Sequence, residues 1–313
     1  MKKKAMFIAL VLLLSVLTAL AACVDTSPSE PEQPERPEPS EPSEPIEPAE
    51  PVEPPEDYIF WQAQEGYSYG EIERVTYRSA VTGTDRHATI VLPAGYNESK
   101  RYPVLYLLHG LNCDDTSWTS GVYGLPMNAQ YIAGNAHCFE GAPEIVIVCV
   151  NSLLNASETQ PDWNSPDLTA VYDLTGREIV TSLMPFVKDN YSVSTSREST
   201  AVAGFSMGGR EAILTAFAYQ DKFGSVGAFS PASFGDDVIS ASTYVPDLAL
   251  TGENFNYVQV TCGLLDTLLG VASNLKSKLE DIGITPAWST PLGMHSPSVW
   301  REALFDFVKS AFA

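Results

Sequence analysis

From Tyr58 onward, short apolar runs of strand length alternate with longer segments whose apolar residues recur at helical spacing. Five runs carry the pattern: "VLYLLHG" (104–110), "EIVIVCV" (144–150), "TAVAGF" (200–205), "SVGAFS" (225–230) and "YVQVTCG" (257–263). They are apolar almost throughout instead of at alternate positions, as strands buried on both faces of a parallel sheet require. Elsewhere the period is helical. Val271, Leu275, Leu279 and Ile282 share one face that stops at Gly283, a C-terminal cap. Trp300, Ala303, Leu304, Phe307 and Val308 fall at i, i+3, i+4, i+7 and i+8 of a last helix, with Ser296 as N-cap and Pro297 in its first turn. Ahead of the alternation, "EIERVTYRSAVTG" and "DRHATIVLPAG" read as antiparallel strands joined by a Gly-containing turn. Residues 58–313 therefore predict one α/β domain: a mostly parallel central sheet, helices on both faces and a leading antiparallel hairpin.

The first 57 residues follow neither pattern. Residues 1–22 combine a basic start (Lys2, Lys3, Lys4), an apolar run and small residues before Cys23, which is the composition of an export signal. The run is also close to the length that spans a bilayer, so an uncleaved anchor is the competing reading. Leu20-Ala21-Ala22-Cys23 resembles the bacterial lipobox. That resemblance implies a lipidated Cys23 as the new N-terminus, a membrane held through the lipid, and a place on the extracytoplasmic face. Residues 23–57 form a Pro/Glu-rich linker with a glutamate at every third position from Glu32 to Glu56. Polyproline II has three residues per turn, so these carboxylates would line one side of an extended rod. Charge repulsion stiffens it, and at ~3 Å per residue it would reach roughly 80–90 Å. It has too little apolar surface to build a core. A spacer lifting a domain through a cell-wall layer and a disordered acidic stalk of no required length are both compatible with it.

Charge excludes more than it suggests. The formal net charge of −21 argues against nucleic acid as a partner. About half of it, −11, sits in residues 24–57, so the folded part is only moderately acidic. Five cysteines are too few and too scattered for a disulfide framework or a zinc site. Cys149 and Cys262 lie in strand-like runs and read as buried thiols. Cys113 and Cys138 lie in loop-like sequence, and their spacing leaves a disulfide between them open.

The chemistry enters at "AVAGFSMGGREA", residues 201–212. Gly204-Phe205-Ser206-Met207-Gly208 matches G-x-S-x-G, with a predicted strand before it and a helical pattern after it. A strand turning sharply into a helix strains the residue at its apex and crowds the flanking positions, hence the glycines. The apex hydroxyl stands at a helix N-terminus, where free N–H groups and the helix dipole favour a developing negative charge. A serine nucleophile needs a base, and if the turn is the one found in α/β hydrolases, whose order is Ser…Asp/Glu…His, the base follows it. Of His87, His109, His137 and His295, only His295 does. The acid must lie between them: Asp221, Asp236, Asp237, Asp247, Asp266 and Asp281 are available. Asp266 follows a buried strand by three residues, at the sheet edge where active groups of open α/β sheets collect, and is the preferred candidate. The oxyanion donors are expected at the backbone N–H groups of Met207 and of Leu111, in the loop after "LLHG". His109 reads as a structural residue of that loop.

"RYPVLYLLHG", "SLMPFVKDNYSVSTSRESTAVAGFSMGG", "CGLLDTLLG" and "GMHSPSVWREALFDFV" resemble the esterase D-like branch of the α/β hydrolases, and within it the feruloyl esterase modules of carbohydrate esterase family 1. The likeness runs from about Gly70 to Phe312. It implies the α/β-hydrolase fold, with Ser206 as nucleophile, Asp266 as acid, His295 as base, and Leu111 and Met207 as oxyanion donors, in agreement with the residues chosen above. Two departures touch the acyl preference: Leu111-Asn112-Cys113-Asp114 replaces a Gly-rich stretch, and Ser296 follows the histidine where an acidic or aromatic residue is frequent.

Together these features predict ester hydrolysis through an acyl-enzyme, with no metal or cofactor. A tethered stalk suits an insoluble or oligomeric ester outside the cell, such as feruloylated or acetylated plant cell-wall polysaccharide. Trp118, Tyr123 and Trp163 are candidates to stack on its aromatic or sugar groups. The alternatives are a short-chain acyl esterase, a formylglutathione-type thioester hydrolase, an acyltransferase, and a non-catalytic glycan-binding protein on the same fold. The export signal argues against the cytosolic thioester role, and the intact set of three residues argues against a non-catalytic protein.

Overall fold

The computed structural model describes residues 53–161, 168–235 and 243–313. The export signal, Cys23, most of the Pro/Glu-rich linker, Trp163, Asp236 and Asp237 lie outside the described residues.

Eight strands form one sheet in the order β1-β2-β4-β3-β5-β6-β7-β8. β1 (Ile72–Arg78) and β2 (Asp85–Val91) are the expected hairpin, and β2 also pairs antiparallel with β4 (Val146–Val150). From β4 across β3 (Val104–Leu108), β5 (Thr200–Phe205), β6 (Ser225–Phe229), β7 (Tyr257–Thr261) and β8 (Ala287–Ser289), every pairing is parallel. β3 to β7 are the five apolar runs. β8, just before the His295 loop, is three residues long, lies at the sheet edge and buries none of them.

The helices are α1 (Ser117–Ser120), α2 (Ala129–Glu140), α3 (Thr175–Glu178), α4 (Met184–Asn190), α5 (Met207–Ala218), α6 (Leu269–Asp281) and α7 (Pro297–Ser310). A π-helical turn, Ile179–Leu183, joins α3 to α4. Strand residues alternate between two cores. Val104, Tyr106 and Leu108 pack with α5 and α6 residues such as Ile213 and Leu275. Leu105 and Leu107 point the other way, onto α2 and α7 residues such as Ile132 and Leu304. This two-sided burial is why the strands are continuously apolar.

α6 ends as expected. Gly283 adopts φ +86°, and the N–H groups of Gly283 and Ile284 donate back to Glu280 and Leu279. At the start of α7, Ser296 occupies the N-cap with extended backbone, yet its hydroxyl meets Met294 O and Ser298 Oγ and caps no helical N–H. Cys113, Cys138, Cys149 and Cys262 are all free thiols. Burial pushes the Cys113 thiol up to about 11 and the Cys262 thiol to about 12.

Candidate active site

Four loops leaving the C-terminal ends of β3, β5, β7 and β8 carry Leu111, Ser206, Asp266 and His295. β5 ends at Phe205 and α5 begins at Met207, so Ser206 alone makes the turn, at φ +55° and ψ −119°. Its N–H donates to Phe229 O and its carbonyl accepts from Gly209, Arg210 and Ala232, which fixes the strained backbone from both sides. The neighbours must be glycine because the backbones touch. A Cβ on Gly208 would lie 2.5 Å from Leu108 O and 2.6 Å from His109 O. Gly208→Ala is therefore expected to cost about 3 kcal/mol, read as a lower denaturant midpoint at unchanged slope.

The Ser206 hydroxyl meets His295 Nε2 at 2.9 Å, and His295 Nδ1 meets Asp266 Oδ2 at 2.9 Å. The other Asp266 oxygen accepts the Leu268 N–H at 2.9 Å. Burial alone would raise the Asp266 carboxyl. The hydrogen bond and charge of His295, with the Leu268 N–H, outweigh it and hold the carboxyl below its ordinary value. An ionised Asp266 fixes the proton on Nδ1 and leaves the Nε2 lone pair facing the serine. The ring is also held from the side. Trp300 meets it edge to face at 5.0 Å and itself stacks on Phe205 at 4.2 Å. Sequence reading placed Trp300 only on the buried face of α7; its position five residues after His295 was the available hint. Among the competing acids, Asp221 pairs with Lys222 and Asp247 with Lys278, and Asp281 ends α6 at the surface.

Met207 is the first residue of α5, where an N–H has no partner within the helix. The Leu111 N–H donates to no described residue. Both side chains join one small cluster with Leu153, Leu168 and Tyr172. His109 is buried and bridges the same region: its Nδ1 meets Gly110 O at 2.7 Å and its Nε2 accepts the Ser152 N–H at 3.0 Å. Burial lowers its pKa, and both ring nitrogens are engaged in holding the loop.

The stacking candidates divide. Trp118 is fully buried, packed on Phe205 and Phe229, with its indole N–H on Leu108 O. It is a core residue beneath the site and offers no face to a ligand, which corrects the expectation. Tyr123 is 69% exposed and approaches Trp300 at 6.3 Å, near the histidine. Trp163 lies outside the described residues. Unanticipated apolar exposure lies next to the site in sequence: Leu264 and Leu265 precede Asp266, and Leu292 and Met294 precede His295. Backbone bonds from Leu264 to Pro291 and from Leu265 to Gly293 tie these two loops together.

Comparison with known proteins gives consistent results. The CE1 ferulic acid esterase of the anaerobic fungus Anaeromyces mucronatus superposes with a TM-score of 0.69 at 28% identity, covering 81% of this chain and 94% of that one. A xylanase/feruloyl esterase of Xylanibacter ruminicola is 26% identical over 268 residues, 82% of this chain. This chain spans 33% of that relative's length. An S-formylglutathione hydrolase of Arabidopsis thaliana is 26% identical over 176 residues, covering 53% of this chain and 57% of that protein. A family model described as a putative esterase matches residues 79–303, from the end of the hairpin's first strand into α7, and this chain belongs to that esterase family.

Proposed function

We propose that this chain is a serine carboxylic-ester hydrolase in which Ser206 attacks the ester carbonyl, His295 takes and returns the proton, and Asp266 holds the imidazole tautomer. The observation that carries this reading is the unbroken chain of two 2.9 Å contacts from Ser206 through His295 to Asp266. The N–H groups of Met207 and Leu111 receive the oxyanion. Water then repeats the sequence on the acyl-enzyme.

The substrate we propose is a hydroxycinnamoyl ester of a plant cell-wall polysaccharide or oligosaccharide. The names of the fungal and Xylanibacter relatives support it. So does the exposed rim of Leu264, Leu265, Leu292 and Met294, which suits a large apolar acyl group better than acetyl. The export signal and Cys23 add the proposal that the enzyme works on the extracytoplasmic face, tethered by lipid and stalk. A thioester role is the second reading, favoured by the Arabidopsis relative. The test is product release by the purified protein from feruloylated and acetylated arabinoxylan oligosaccharides and from S-formylglutathione. Ferulate is the expected product. Acetate alone, or thiol release alone, would move the substrate while keeping the chemistry.

A further inference from the structure

Leu111 must present its N–H from the loop after β3, which His109 braces at its start. The next residue, Asn112, sits at φ +59°, a left-handed conformation that costs energy for a residue with a side chain. Two side chains from other segments reach this point, Gln160 by a hydrogen bond and the Tyr172 hydroxyl beside it. Gln160 Oε1 accepts the Asn112 N–H at 3.2 Å and also the Tyr172 hydroxyl at 2.5 Å. The Asn112 N–H can only donate, which fixes the oxygen end of the Gln160 amide toward the loop. Tyr172 is fully buried and belongs to the cluster that seats both Leu111 and Met207. Gln160 thus links the loop carrying one oxyanion donor to the packing that seats the other. Its own Nε2 is buried with no partner among the described residues. An apolar side chain in its place would lose the hold on Asn112.

We infer that Gln160 is a positioning residue for the oxyanion loop: it sets the Leu111 N–H through Asn112 and is itself oriented by Tyr172. This rests on the esterase reading above. A loop released by loss of Gln160 would still bind substrate and would misplace a donor that matters only as the oxyanion forms, so the effect falls on kcat and not on KM.

The test uses Gln160→Met, of similar shape without the polar atoms, together with Tyr172→Phe and the double variant. Three quantities are measured: kcat and KM for p-nitrophenyl acetate, the rate of inactivation by diethyl p-nitrophenyl phosphate, whose phosphoryl oxygen takes the oxyanion position, and Tm. Gln160→Met is expected to lower kcat and the inactivation rate together by about tenfold or more, with KM within about twofold. Tyr172→Phe should lower them less, and the double variant should match Gln160→Met, because both act through one contact. A Gln160→Met enzyme with kcat within about twofold of the parent overturns the inference, as does a fully additive double variant. If Gln160→Met does not fold, Tyr172→Phe decides alone: kcat and inactivation rate must fall in parallel at constant KM. An inactive parent would instead overturn the esterase reading itself.

Discussion

Ser206→Ala is expected to lower kcat for ester substrates by roughly 10⁵–10⁶-fold, as removal of a serine nucleophile does elsewhere. The stability of the fold should hardly change. Among the described residues the Ser206 side chain makes one hydrogen bond, to His295, and the backbone bonds that fix the turn use its N–H and carbonyl, which alanine keeps. Thermal unfolding should therefore stay within about 0.5 kcal/mol of the parent. Loss of activity with an unchanged melting curve separates a chemical role from a structural one. A variant retaining a tenth of the parental kcat would remove Ser206 from the mechanism.

Asp266→Asn should cost about 10⁴-fold in kcat, with KM little affected. The side chain is fully buried, and one oxygen faces His295 Nδ1 while the other takes the Leu268 N–H. An amide in its place can donate to Nδ1, which moves the ring proton to Nε2 and leaves no lone pair for the serine. The substitution also changes the response to acid. The folded-state carboxyl lies below its unfolded-chain value of about 3.9, so its contribution to stability is fully present above that pH. It is lost as the pH falls through the folded-state value. Denaturant unfolding measured from pH 6 down to pH 3 should show a steeper loss for the parent than for Asp266→Asn. Equal slopes would mean that His295 does not hold this carboxylate.

Much of this architecture is legible in the chain because the residues concerned satisfy local rules. β3 to β7 announce themselves as continuous apolar runs, since each is buried between two helix layers. The turn at Ser206 is written in its glycines, whose missing side chains are the space that the β3 backbone and its following loop occupy. His295 could be found by elimination, and Asp266 by its place just after a buried strand. What escaped depends on contacts between distant segments. Trp118 looked like a loop aromatic, but the chain around it folds back under Phe205 and buries it completely. Gln160 meets Asn112 across 48 positions of sequence, and no local spacing encodes that pairing.

In the proposed mechanism Ser206 forms a covalent bond to the substrate's acyl group. The most direct test is to titrate the purified protein with diethyl p-nitrophenyl phosphate, map the adduct by peptide mass spectrometry, and follow residual esterase activity in the same samples. One phosphoryl adduct per chain is expected, on Ser206, with activity lost in proportion to labelling. Full labelling of Ser206 with activity retained, or inactivation with the adduct on another residue, would contradict it.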